Sequence, residues 1–280
     1  MDEVTIIIKT FNRKKRLLKL VDSIFNYYPN INVIIVDDSR KSSMDSIIKK
    51  YNNIKYINTE YDIGLSKGRN ILVENVKTKY FLLCDDDFVF DNRTNLMLAK
   101  KILLKSKADI LGGMVYNRIS FNCLFSILWS LKKPSRIIDI IRKKEFISIY
   151  NGQLSDNKNR AILKIDKDIN NYADKEYSHT DICSNFFIAK TKKIKKMGGW
   201  IPETLKVGEH EIFFLRAKRE GVNVAFTTRF GVVHYPQKKL GYLRYRERAG
   251  KLFKDACSQL GLSSYIVKDK KDGTIYYKYE

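Results

Sequence analysis

Three consecutive carboxylates, Asp85-Asp86-Asp87, follow the apolar run Tyr80-Phe81-Leu82-Leu83-Cys84. Like charges so close repel and resist desolvation unless a cation or hydrogen bonds compensate. A hard divalent ion, Mn²⁺ or Mg²⁺, supplies that compensation while bridging to phosphate oxygens, and it needs only one or two carboxylates because it keeps waters. The plain alternative is an acidic turn that merely ends a strand. A second acidic pair, Asp37-Asp38, closes the run Val33-Ile34-Ile35-Val36. Further along, Glu209-His210-Glu211 gathers two carboxylates and an imidazole, groups able to take a proton from a hydroxyl. A helix dipole would explain glutamates at that place but not the histidine. His234 follows Val232-Val233, and a neutral imidazole there is either a borderline metal ligand or a packed strand-end side chain.

These residues need a frame that brings them together. Thr5-Ile6-Ile7-Ile8, Val33–Val36, Ile54–Ile57 and Tyr80–Cys84 read as short buried strands. Between them lie helical patterns: Arg13–Tyr28, capped by Asn12, with Leu17, Leu20, Val21, Ile24 and Phe25 on one face; Met44–Tyr51; and a helix capped near Ser66. Strand–helix alternation with continuous apolar strands predicts an α/β fold, a doubly covered parallel sheet. In such sheets ligands bind beyond the carboxyl ends of the strands, where both acidic clusters fall.

The second half is less regular. Phe121–Phe146 begins apolar and turns basic, and Asn151–Asp174 is polar, expected to be loop-rich and broken by Ala161–Ile165. Phe186–Ala189 and Val224–Phe226 read as strands, and Glu209–Glu220 as a helix closed by Gly221. Leu240–Leu260 reads as a basic amphipathic helix, and Lys271-Asp272-Gly273 as the turn of a terminal hairpin.

The order of motifs resembles a GT-A nucleotide-sugar glycosyltransferase of family 2. Thr10-Phe11-Asn12-Arg13, Asp37-Asp38-Ser39 and Gly64-Leu65-Ser66-Lys67-Gly68-Arg69-Asn70 carry the likeness in the first half. Lys79–Phe90, Asp181–Thr191 and Lys206–Phe214 are similar to the β-1,4-N-acetylgalactosaminyltransferase-like group. The likeness implies a Rossmann-like catalytic domain over residues 1–237, its nucleotide-binding half near 1–115 and its acceptor-binding half near 116–237. Residues 238–280 would form a helical and hairpin extension. It further implies that Asp38 meets a uracil ring, that Thr10 lines the same pocket with Asn12 and Arg13, and that Lys67 and Arg69 approach the base or diphosphate. Asp85 and Asp86 would face the ribose or donor sugar, and Asp87, with His234, would hold the metal. Many family 2 enzymes carry Glu-Asp where Glu209-His210 stands, so Glu209, His210 and Glu211 all remain candidates for the base. The loop of Trp200 would pack on a sugar, with a plain hydrophobic anchor as the alternative. Asp181 is read as acceptor-binding, and His179 as structural or acceptor-side.

Composition sets limits. The 280 residues include 53 Lys+Arg and 31 Asp+Glu, a net charge of +22, with 44% hydrophobic residues, too apolar for a disordered basic tail. The charge fits nucleic acid, an anionic membrane surface or a phosphate-bearing acceptor. No familiar nucleic-acid motif occurs, and the acidic strand ends would repel phosphates without a metal, so no nucleic-acid partner is expected. A nucleotidyltransferase of similar fold needs a glycine-rich loop after the first strand, and Thr10–Arg13 has no glycine. The expected partners are a UDP-sugar, best read as UDP-GalNAc, and a glycan, lipid-linked or phosphate-bearing acceptor. Four scattered cysteines without a CxxC pair, and a start without a basic apolar leader, predict a cytoplasmic protein. The basic segments Phe121–Lys144 and Leu240–Lys254 would suit peripheral contact with the inner face of a membrane.

Overall fold

The computed structural model describes residues 2–42, 47, 49–118, 145–201, 209–236 and 249–279. The first half builds four parallel strands: β1 (Val4–Thr10), β2 (Asn32–Asp37), β3 (Ile54–Asn58) and β4 (Tyr80–Asp85), ordered β3-β2-β1-β4. α1 (Lys14–Tyr27) and α2 (Leu65–Asn75) cover opposite faces. The period-two alternation of strands makes this possible. Ile6, Ile8, Leu82 and Cys84 pack with Leu17, Leu20 and Ile24 of α1. Ile7, Phe81 and Leu83 pack with Leu72 and Val73 of α2. Both faces are therefore apolar, which is why these strands read as unbroken hydrophobic runs.

Two expected caps differ. Asn12 adopts a left-handed backbone with φ 56°, and α1 starts after Arg13 without a side-chain cap. α2 is led by Gly64 at φ 91°, a conformation glycine adopts without strain, while Ser66 is buried inside the helix. Half of the expected helix at Met44–Tyr51, residues 44–46 and 48, lies outside the described residues.

The sheet continues through later elements. After β5 (Phe88–Val89) and α3 (Leu96–Lys105) comes β6 (Ile110–Arg118). Asn95 caps α3 by accepting from the Leu98 amide at 2.9 Å. Next are β7 (Glu145–Ser148), β8 (Asn151–Asp156), β9 (Arg160–Asp166), the short α4 (Asn170–Ala173) and β10 (Ser178–Thr180). β11 (Phe187–Lys190), α5 (Thr191–Lys196), α6 (His210–Arg219) and β12 (Val224–His234) complete the central layer. The strand path is β10-β12-β6-β11-β4-β1-β2-β3, with β5 on β12 and β7 on β6. β11 runs antiparallel between β4 and β6, and β12 lies parallel to β6. The two expected halves thus share one sheet.

Asn151–Asp174 is not loop-rich as expected: β8 and β9 form an antiparallel hairpin. The described chain ends in α7 (Ala249–Gln259), β13 (Ser264–Asp269) and β14 (Ile275–Tyr279). The turn at Gly273 (φ 74°) is present, yet the hairpin is no free appendage. β13 pairs in parallel with β9, giving a second sheet β14-β13-β9-β8. Phe253, Cys257, Tyr265 and Val267 share a core with Leu163, Phe213 and Trp200. The described cysteines Cys84, Cys183 and Cys257 are buried and free. Among the described residues no helix is long and apolar enough to cross a membrane. The basic segment Phe121–Lys144, and residues 240–248 of the second basic segment, lie outside the described residues.

Candidate active site

The carboxyl ends of β1, β4 and β12 converge. Thr10 ends β1, and its Oγ1 donates to Asp86 Oδ2 at 2.7 Å. Arg13, immediately ahead of α1, sets a single Nη1 against both Asp86 Oδ1 (2.9 Å) and Asp87 Oδ2 (2.8 Å). The same Asp87 oxygen lies 3.3 Å from His234 Nε2. β5 makes this meeting possible, because its Phe88 is register partner to His234 and stacks edge-on against the imidazole. Asn117 Oδ1 fixes the other ring nitrogen, Nδ1, at 2.7 Å.

Burial sets the charge states of this cluster. It pushes Asp86 up to about 6 against the pull of Arg13. It pushes Asp87 the same way, but His234 and Arg13 outweigh it and hold that carboxyl below the usual range. A carboxylate kept ionised with an imidazole nitrogen beside it is a donor pair that could hold Mn²⁺ or Mg²⁺ in place of the Arg13 guanidinium that now neutralises the acids. Among the described residues no third His, Cys, Asp or Glu completes a cage, so Asp87 and His234 would share such an ion with waters and phosphate oxygens.

Arg69 ties this strand end to α6. It is 1% exposed, donates from Nη2 to Asp85 Oδ1 at 2.9 Å, and pairs through Nη1 with Glu209. Burial raises Asp85 while the Arg69 charge opposes it. His210 begins α6 with Nδ1 2.6 Å from Asn185 Oδ1, and burial followed by the Arg69 charge lowers it to about 3. Its imidazole is therefore neutral. Glu211 accepts from the Tyr150 hydroxyl at 2.5 Å, and burial raises its carboxyl. Burial first, and then the Glu211 charge, also raise Tyr265 of β13. Glu211 thus belongs to a polar group facing the second sheet, whereas His210 adjoins Arg69.

Beyond β2, Asp38 pairs with Lys9 and accepts from the Gly64 amide at 3.2 Å. Burial lowers Lys9 and raises Asp38, each opposed by its partner. Lys9 was not singled out from the sequence, although a lysine inside the apolar run of β1 was a visible signal. Its aliphatic stem passes under α2 where Gly68 leaves room; a Cβ there would lie 2.3 Å from Lys9 Cε. Asn12 sits beside this pocket, its amide donating to Ser39 Oγ at 2.6 Å. Lys67 is exposed on the first turn of α2.

Two expected acceptor residues are engaged elsewhere. Trp200 is 2% exposed and stacks on Phe213 at 4.2 Å, with Asn70 bonding its backbone N–H and carbonyl at 2.8 Å each. It is a buried anchor, not an open sugar platform. Asp181 accepts from the Leu154 amide and from Lys218, both at 2.7 Å, and so joins β8 to α6. His179 is exposed, edge-on to Tyr177.

Residues 5–168 match the profile of Glycosyl transferase family 2. The chain belongs to that family. The family 2 match covers Asp38, Arg69 and Asp85–Asp87, while α6 and His234 lie beyond it. The chain is 30% identical over 211 residues to human Beta-1,4 N-acetylgalactosaminyltransferase 1, covering 75% of this chain and 35% of that protein. It is 38% identical over 123 residues to mouse Beta-1,4 N-acetylgalactosaminyltransferase 2, covering 44% and 23%. The chain therefore spans only about a quarter to a third of these relatives. Residues 1–349 of S. aureus TarS superpose with a TM-score of 0.58 at 16% identity, covering 91% of this chain and 64% of that one. The mannosyltransferase PcManGT from Pyrobaculum calidifontis, solved with GDP-Man and Mn²⁺, gives 0.56 at 15% identity, with 92% and 63% covered. The family 2 chain thus has the GT-A glycosyltransferase fold.

Proposed function

We propose that the chain is a metal-dependent inverting glycosyltransferase that moves a hexose or N-acetylhexosamine, best read as GalNAc, from a UDP-sugar to an acceptor hydroxyl. The acceptor is read as a glycan or a lipid- or polymer-linked chain. The observation that carries the reading is the meeting of Asp87 and His234 at one carboxylate oxygen, beside the Asp85–Arg69–Glu209 bridge. The similarity to N-acetylgalactosaminyltransferases supports the choice of sugar.

In this reading the Lys9–Asp38 pair and Thr10 frame the nucleotide. Asp87 and His234 would hold a divalent ion, whose chemistry when bound would be to neutralise charge growing on the leaving diphosphate. Arg69, locked between Asp85 and Glu209, fixes the donor sugar's side of the site against the start of α6. Glu209 is committed to that ion pair and Glu211 to Tyr150, so the base role falls to His210. A histidine held at about 3 is a weak base until the charge of a bound diphosphate raises it; its Nε2 then accepts the acceptor's hydroxyl proton, while Asn185 orients Nδ1. The freed oxygen attacks the anomeric carbon as the bond to the diphosphate oxygen breaks. One displacement inverts the configuration.

A screen of UDP-sugars for slow hydrolysis with Mn²⁺ tests this. One UDP-hexosamine is expected to be cleaved, and Asp87→Ala to abolish both cleavage and the thermal stabilisation by UDP with Mn²⁺. No cleavage of any donor, with no stabilisation by UDP and Mn²⁺, would overturn it.

A further inference from the structure

A cleft of about 240 Å³ opens between the second sheet and β10, lined in part by Lys164, Lys175, Lys270, Ser178 and His179. We propose that it binds the phosphate groups of an anionic polyol or sugar chain, at a site separate from the donor pocket. Only the further step of naming this chain the acceptor rests on the transferase reading.

Three observations carry the proposal. The first is charge: three lysines line the cleft against one carboxylate, Asp166, a balance of 3 − 1 = +2. That carboxylate is already satisfied, by Lys270 at 2.9 Å and by Asn171 Nδ2 at 3.0 Å to both oxygens. It orders Lys270 and Asn171 and offsets the Lys270 charge, so the excess positive charge of the cleft rests on Lys164 and Lys175. The second is unspent donor capacity. Lys164 and Lys175 are exposed, and Ser178 Oγ is buried with no hydrogen-bond partner among the described residues. A phosphate oxygen would satisfy all three donors. The third is shape. The volume equals about eight waters, at roughly 30 Å³ each, enough for one phosphorylated three- to five-carbon unit. A concave recess of that size suits a single chain better than a flat bilayer.

Position separates the cleft from the donor site. β10 pairs with Val224–Phe226 at the start of β12, whereas His234 ends that strand. β12 bulges between Phe226 and Gly231, so the span is measured by the five steps from Gly112 to Asn117 on the facing β6, which place the two roughly 17 Å apart. A chain held here could extend several units toward the reacting end.

The test uses the whole chain and four probes: inorganic phosphate, glycerol phosphate, a synthetic oligomer of phosphodiester-linked glycerol, and phosphatidylglycerol vesicles. Calorimetry is expected to show the oligomer binding more tightly than glycerol phosphate, more weakly as salt rises, and without displacement by UDP and Mn²⁺. Lys164→Gln with Lys175→Gln should raise the oligomer Kd about tenfold while leaving UDP binding unchanged. Displacement of the oligomer by UDP would place it in the donor pocket and overturn the proposal. So would oligomer binding untouched by the double substitution, or vesicle binding lost in the double variant with no oligomer binding at all. Because UDP binding is read separately, a failed donor screen leaves this outcome legible.

Discussion

His234 Nε2 lies 3.3 Å from Asp87 Oδ2, on an oxygen that Arg13 also contacts at 2.8 Å. Two strands distant in sequence therefore deliver a carboxylate and an imidazole to one point. Asp87→Asn and His234→Gln should each cut turnover about a hundredfold, the usual scale for losing one electrostatic contact to developing charge. Mn²⁺ affinity, read by electron paramagnetic resonance, should fall in both. Unchanged Mn²⁺ binding in both variants would remove these residues from the metal site.

Arg69 is buried, and both of its partners are acids. Arg69→Met strands those acids and should cost about 3–5 kcal/mol, the scale for breaking a buried ion pair from one side. Arg69→Lys should fall between the two, because one ammonium cannot span both carboxylates as a fork does. Urea unfolding midpoints read the difference. A Met variant as stable as the parent would mean that the bridge does not support the fold.

Acid should weaken the fold in part through His210. Burial and the Arg69 charge hold it at about 3, against an ordinary 6.5, so below pH 6.5 the unfolded chain takes up a proton that the folded chain refuses. The stabilisation is complete above pH 6.5 and drains away as pH falls toward about 3. By pH 5 the loss is about 1–2 kcal/mol. His210→Asn should flatten this part of the stability profile between pH 6.5 and 4, measured by denaturant titration at each pH. An identical slope in the variant would count against the histidine.

Trp200 should behave as a packing residue. Trp200→Ala is expected to cost about 3–5 kcal/mol, as for other buried aromatics. Trp200→Phe should cost less and leave the acceptor KM unchanged, since the ring is stacked on Phe213 and nearly closed to solvent. A raised KM with normal stability in the Phe variant would restore the sugar-platform reading.

The parallel half of the fold was legible because its strands are apolar on both faces and end abruptly in acids. Val33–Val36 with Asp37-Asp38, and Tyr80–Cys84 with Asp85–Asp87, carry that signature without any knowledge of their partners. What the sequence hid were pairings across long separations. The Arg69–Glu209 pair joins residues 140 apart, and nothing local in either segment announces it. The sequence left both readings of Trp200 open because an aromatic beside glycines looks the same whether it faces a sugar or Phe213. The partners of Asp181 were hidden for a similar reason: its carboxylate meets an amide of β8 and a lysine of α6, both distant in sequence. The helix α3 and strand β6 were missed although Asn95 followed by Leu96, Ala99, Ile102 and Leu103 carries a cap and a helical stripe. The second sheet was unreadable because β9 and β13, though adjacent, are separated in sequence by everything from α4 through α7.

β11 has a mechanical consequence. Its Phe187–Lys190 is laddered to Leu83–Tyr80 on one side, and Phe187–Ala189 to Gly112–Ile110 on the other. Strand β11 is therefore a rivet in the middle of the molecule: the two halves cannot swing apart as rigid jaws without tearing hydrogen bonds from both of its edges. If the chain turns over a nucleotide sugar as proposed, any widening that admits it has to come from segments at the rim of the sheet, with the laddered floor beside Asp87 moving least.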